Sequence, residues 1–161
     1  MSSPAERLAE LGLTLPAVAA PLAAYVPAVR AGDLVFTSGQ LPSVEGRLTA
    51  TGKVGAEVSP ESAVECARLA ALNALAAVAA EVGGLDGVAR VVKVVVFVAS
   101  DPGFTGQAQV ANGASELIGS VLGDAGRHAR SAVGTAVLPL DSPVEVELVV
   151  EVRATPTIRA L

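Results

Sequence analysis

The chain has 161 residues, 52% hydrophobic and only 2% aromatic, and its 11 Lys+Arg against 16 Asp+Glu give a formal net charge of -5. That size suits one domain with one core and no linker, built closely from Ala, Val and Leu without disulfides or metal, with apolar faces left for a partner subunit. Negative charge without a basic run disfavours nucleic-acid binding, one Tyr and three Phe offer few stacking platforms, and one His with one Cys makes neither a structural zinc site nor an intrachain disulfide.

In chain order, Pro4 to Leu11 sets Leu8 and Leu11 three apart among Glu6, Arg7 and Glu10, which predicts a short amphipathic helix ending near Gly12. Those charges do not suit a signal peptide. The most apolar window, Leu69 to Ala80, is short for a bilayer span and is flanked by Arg68 and Glu81, so a soluble cytoplasmic protein with no membrane partner is expected. Leu13 to Pro27 holds Pro16, Pro21 and Pro27 and reads as extended, with Tyr25 inside it. Ala28-Val29-Arg30, a turn at Ala31-Gly32-Asp33, and Leu34 to Gln40 read as a hairpin ending in the polar cluster Thr37-Ser38-Gly39-Gln40. Gly46, Gly52 and Gly55 mark irregular backbone from Ser43 to Val58, with a short edge strand near Arg47 to Ala50.

Ser59-Pro60-Glu61 starts a helix with a capping hydroxyl, a first-turn proline and an acid at the positive dipole end. It should run to Val82, stop at Gly83-Gly84 and bury a stripe of Val64, Ala71, Leu75, Val78 and Val82. Val88 to Ala99 is nearly all Val apart from Arg90 and Lys93 and reads as a central strand covered on both faces. A second helix, Gln107 to Val121, is followed by strands Arg130 to Leu138 and Val144 to Val152, read as a hairpin across Pro139 to Pro143. The order is β-β-α-β-α-β-β with no dinucleotide fingerprint, and the fold class is α+β, two helices on one face of a mixed sheet.

Few residues in so apolar a chain can carry chemistry. Glu145, Glu147 and Glu151 share one face of the last strand; alternation alone reads them as a solvated face, and the sharper reading has Glu145 in a cleft orienting a water. Arg130 can be a surface charge, a partner of one of those glutamates, or a two-pronged grip on a substrate carboxylate. His128 reads as a residue leading into a strand or an interface, and no triad is built on it. Ser38 and Gly39 read as turn chemistry or as a hydroxyl and amides lining a pocket, Asn112 as a cap for a nearby loop, and Cys66 as a buried inert thiol.

Four stretches in order, Tyr25-Val26 with Gly32 to Pro42, Val92 to Val98, Ala129-Arg130-Ser131, and Leu138-Pro139 through Glu147, resemble the Rid (RidA/YjgF-like) family of reactive enamine/imine deaminases. The resemblance runs from Tyr25 to the end and implies a chorismate-mutase-like fold, a homotrimer with pockets at subunit interfaces, and cofactor-free hydrolysis of small 2-imino acids to 2-keto acids and ammonia. It places the carboxylate-binding arginine at Arg130, the water-positioning glutamate at Glu145, and pocket residues at Tyr25, Ser38, Gly39 and Asn112. Ala132 joins these substrate-binding positions through its backbone groups, although it stands where the best-known deaminases have cysteine and the thiol is lost; the N-terminal stretch of residues 1–20 and the Ser43 to Val58 loop depart from the short typical members.

Overall fold

The structure is a computed structural model and describes residues 2–18 and 24–153. Its first helix, α1 (Pro4–Glu10), is capped by Ser3, whose hydroxyl accepts from the Glu6 N–H while the Glu6 carboxylate accepts from the Ser3 N–H. The strands β1 (Ala28–Ala31) and β2 (Leu34–Thr37) form the expected hairpin. The glycine-rich stretch holds two short strands rather than one, β3 (Ser43–Val44) and β4 (Arg47–Leu48), paired only with each other. Part of the proline-rich segment, residues 19–23, lies outside the described residues.

The long helix α2 (Pro60–Val82) begins at the Ser59 cap and ends on left-handed Gly83, as its signals dictate. By length and composition it could cross a bilayer, but here it is a core helix, buried from Ala70 to Val78. Its partner α3 (Gln107–Leu122) approaches so closely at Gly113 that a Cβ there would overlap the Val64 carbonyl. Val64 is consequently spent on the helix contact instead of being fully buried in the expected stripe.

The sheet has the order β1-β2-β7-β5-β6, where β5 is Val88–Ala99, β6 Ala129–Thr135 and β7 Val144–Val152. This corrects the expected β6–β7 hairpin. The strand β6 runs parallel to β5 on its outer side, while β7 lies antiparallel on the inner side, so β5 separates them. The connection passes over the end of β5, where Ala99 N–H donates to Pro143 O (2.9 Å) and Gly52 N–H to Asp141 O (2.9 Å). β6 also stops at Thr135, short of Leu138.

A second correction concerns coverage. Both long helices pack on one face, over Val94, Val96, Val98, Val146 and Leu148, all at most 1% exposed. The other face is uncovered in the single chain, and paired residues lay a row across all five strands: Val29, Phe36, Val149, Lys93 and Ala129. Val29 is 51% exposed, Phe36 39% and Val133, further along the same face, 44%. The Val-rich β5 is therefore a central strand buried on one side only, and the reason it reads as two-sided is that its second face also carries Val95 and Phe97, beside Arg90 and Lys93.

Candidate active site

Arg130 lies on the helix-covered side. It pairs with Val94, which pairs with Leu148, and directly paired residues share a face. Its guanidinium reaches along α3, where Ala108, Asn112 and Ser115 fall four and three residues apart and so on one side of the helix. Nη1 donates to Asn112 Oδ1 (2.9 Å) and Ser115 Oγ (3.1 Å), and Nη2 donates to Ala108 O (3.2 Å). One N–H on Nη2 and the one on Nε are left without a partner among the described residues. A guanidinium held this way keeps its orientation while retaining donors for an anion.

The grip extends one residue further than the sequence reading reached. Ser115 Oγ lies 2.9 Å from His128 Nε2, and His128 Nδ1 lies 2.6 Å from Gly126 O. A carbonyl can only accept, so Nδ1 carries the proton; in the neutral ring Nε2 then accepts from the Ser115 hydroxyl, whose lone pairs turn to Arg130. His128 does lead into β6, as expected, but its ring serves this chain of bonds. Asn112 holds Arg130 rather than capping a loop. Ser115 had a weak signal in its spacing from Asn112, visible only once β6 is known to lie beside α3.

Glu145 lies on the opposite, uncovered face, paired with Phe97. Its seat is made by an interruption in the β2–β7 ladder. After Phe36 pairs with Val149, Leu148 N–H donates to the side chain of Thr37 (Oγ1, 2.9 Å) instead of to a backbone carbonyl, and regular bonding resumes only between Gln40 and Val146 (2.9 Å both ways). The residues skipped are Ser38 and Gly39, and a Cβ on Gly39 would overlap the Glu145 carboxylate. Glycine is thus what lets the carboxylate lie against the strand. Thr37→Val keeps the shape but orphans a buried N–H, so a loss of about 1–3 kcal/mol in unfolding free energy is expected from denaturant titration.

Partial burial, and secondarily the nearby Glu147 charge, push the Glu145 carboxyl above its ordinary value of 4.5; burial raises Glu147 as well. Glu145 has no hydrogen bond or ion pair with the described residues. It borders a cavity of about 940 Å³, together with Gly39, Gln40 and Tyr25. Ser38 is turned elsewhere: its hydroxyl donates to Val26 O (2.6 Å), which fixes the backbone just after Tyr25. Asn73, not anticipated as a site residue, also lines the cavity. Its amide donates to Leu41 O (2.9 Å) and Ser43 O (3.0 Å), pinning the loop that forms one wall. The signal for it was a lone amide in an Ala/Leu helix.

The structure therefore brings Tyr25, Gly39 and Glu145 together, and separately Arg130, Asn112 and Ser115. Ala132, two residues beyond Arg130, sits partly buried against the core. Within one chain the two groups stand on opposite sides of the sheet. Cys66 is buried, with its thiol pushed up by burial and 3.8 Å from Thr49 Oγ1, which is the inert environment expected. No cluster of three His, Cys, Asp or Glu side chains able to hold a metal occurs among the described residues.

A mixed sheet with two helices on one face, an arginine at an edge strand and a glutamate behind it define a protein of the chorismate-mutase-like α+β class. The comparison with known proteins gives the family: residues 5–152 match the one described as "YjgF/chorismate_mutase-like, putative endoribonuclease", and the chain belongs to it. Protein TCP17 of Trypanosoma cruzi is 48% identical over 148 residues, 91% of this chain and 92% of that one. The crystal structure of Atu1372 from Agrobacterium tumefaciens, a protein of unknown function, is 49% identical with a TM-score of 0.87, covering 93% and 92% of the two chains. E. coli TdcF with bound serine is more distant, at 28% identity and a TM-score of 0.58 over 86% and 93%.

Proposed function

We propose that the protein is a cytoplasmic, homotrimeric hydrolase of reactive 2-imino acids and their enamine tautomers, releasing 2-keto acids and ammonia. The observation that carries this reading is the pair of prepared groups: Arg130, oriented by three bonds with two N–H groups to spare, and Glu145, a partly buried carboxylate with no partner among the described residues. They lie on opposite faces of one sheet, so one substrate meets both only where Arg130 of one copy stands beside Glu145 of another. The uncovered row from Val29 to Ala129, apolar except for Lys93, supports such an assembly, because exposed Val29, Phe36 and Val133 on one sheet face favour association.

The chemistry asks little of the chain. An imine carbon is already electrophilic, so holding the substrate and a water in place supplies most of the catalysis. Arg130 would grip the carboxylate with two parallel hydrogen bonds. Glu145 would accept a proton from water as the water oxygen bonds to the imine carbon and the C=N π pair moves to nitrogen, which takes that proton up; the hydroxyl proton of the resulting carbinolamine would then pass through Glu145 to nitrogen as C=O forms, the C–N bond breaks and ammonia leaves. The serine bound to E. coli TdcF is an amino acid carrying the carboxylate that this reading requires of a ligand.

Two competing readings have definite signatures. Ala132 in place of the usual cysteine favours a non-catalytic trimer that binds a small carboxylate or a protein. The family description favours endoribonuclease activity, against which stand the net charge of -5 and the scarcity of aromatics. Adding the purified protein to 2-aminoacrylate generated by a dehydratase separates them. Faster keto-acid formation is expected; thermal stabilisation by keto acids with no acceleration would instead identify a binding module.

A further inference from the structure

The cavity beside Glu145 has walls that say what its ligand is made of. Its apolar wall is formed by Leu41, Val44, Leu48, Leu69, Leu72 and Leu140, contributed by the loop after β2, the β3–β4 hairpin, α2 and the β6–β7 connection. Further apolar surface comes from Pro16, Ala17 and Val18 of the N-terminal stretch. Both stretches that depart from the short typical deaminases, the N-terminal one and the Ser43 to Val58 loop, thus contribute walls to this cavity.

Its polar content is sparse and of one sign. Among the described residues, Glu145 and Glu45 are the only charged groups that line it, and no Lys, Arg or His borders it. Both amide hydrogens of Asn73 are engaged by loop carbonyls. A substrate carboxylate finds no counter-charge in these walls, whereas a protonated imine nitrogen beside Glu145 does, and whatever extends further meets hydrocarbon. In the single chain these walls bound about 940 Å³ before a second copy brings Arg130 up to Glu145, and leucine-rich wall left bare beside a methyl group forfeits the gain from burying a side chain.

Resting on the deaminase reading above, we infer that the preferred substrates are 2-imino acids with large apolar side chains, such as those formed by oxidation of leucine or phenylalanine, with the side chain seated in the leucine-walled cavity. Imines of serine or alanine origin are turned over as well, but more slowly. Each added methylene seated in such a wall is worth a several-fold gain in kcat/KM.

The test generates imines in situ with an amino-acid oxidase from alanine, leucine and phenylalanine and follows keto-acid release with the full chain. In parallel, calorimetry measures binding of pyruvate, 4-methyl-2-oxopentanoate and phenylpyruvate. The leucine-derived imine is expected to exceed the alanine-derived one by about tenfold or more in kcat/KM, with the keto acids ranking the same way. Leu48→Gln, which puts an amide in the wall from the outlying hairpin, should shrink that ratio. Equal or better turnover and binding of the alanine-sized compounds would overturn the inference and leave the deaminase reading intact. Selective binding of the large keto acids with no turnover of any imine would sink the deaminase reading and uphold the cavity's preference. Neither turnover nor binding would end both.

Discussion

Arg130→Ala is expected to lower kcat/KM for imine hydrolysis by about a hundredfold or more, chiefly through KM. A charge-assisted hydrogen bond contributes roughly 1.5–3 kcal/mol, and a carboxylate gripped by two loses both. Arg130→Lys should recover only part of the loss, since an ammonium keeps the charge without the paired donors. The side chain also bridges β6 to α3 through Asn112, Ser115 and Ala108. Denaturant midpoints must therefore accompany the kinetics; a loss of activity that only tracks a loss of folding would deny Arg130 its role at the substrate.

Glu145→Gln is expected to separate activity from stability. Turnover should fall by about 10²–10⁴, because an amide cannot take the proton from water. Stability at neutral pH should rise. Burial and the neighbouring Glu147 raise the carboxyl's pKa in the folded chain above 4.5, so the folded state holds the proton more tightly than the unfolded state does. That contribution is complete below the unfolded value and is lost as pH rises through the raised one, which leaves an ionised, partly desolvated group at pH 7. Wild-type activity should climb over the same interval as the carboxylate forms. Thermal melts and rates across pH 4 to 8 check both signs, and a variant less stable than wild type at pH 7 would contradict the assignment.

How much of this was legible in the sequence depends on whether the signal is local. Ser59-Pro60-Glu61 and Gly83 bound α2 where expected because a cap is made by residues within one turn of each other. Alternation in β7 put Val144 to Val152 on the core side and Glu145 to Glu151 on the other, since side-chain direction along one strand is fixed by its period of two. What failed was the pairing of strands. Nearness along the chain favoured a β6–β7 hairpin, whereas β5, uniformly Val-rich, accepts either neighbour on its ladder and takes β6 on one side and β7 on the other. Without that register, the parity of Arg130 could not be compared with that of Glu145, and their separation onto opposite faces was out of reach. Ser115, Asn73 and the role of the His128 ring were missed for the same reason: each matters through a partner far away in sequence or on another element.

The central claim is that Arg130 and Glu145 serve one substrate from two different copies of the chain. Subunit complementation tests it most directly. Arg130→Ala and Glu145→Gln proteins, each inactive alone, are mixed, dissociated and reassembled together. In a cyclic assembly each pocket takes Arg130 from one neighbour and Glu145 from the other, so random mixing in equal amounts restores about a quarter of the pockets. Recovery of imine hydrolysis to about that fraction of wild type is the expected result. Assembled mixtures that stay as inactive as their parents would contradict a shared pocket.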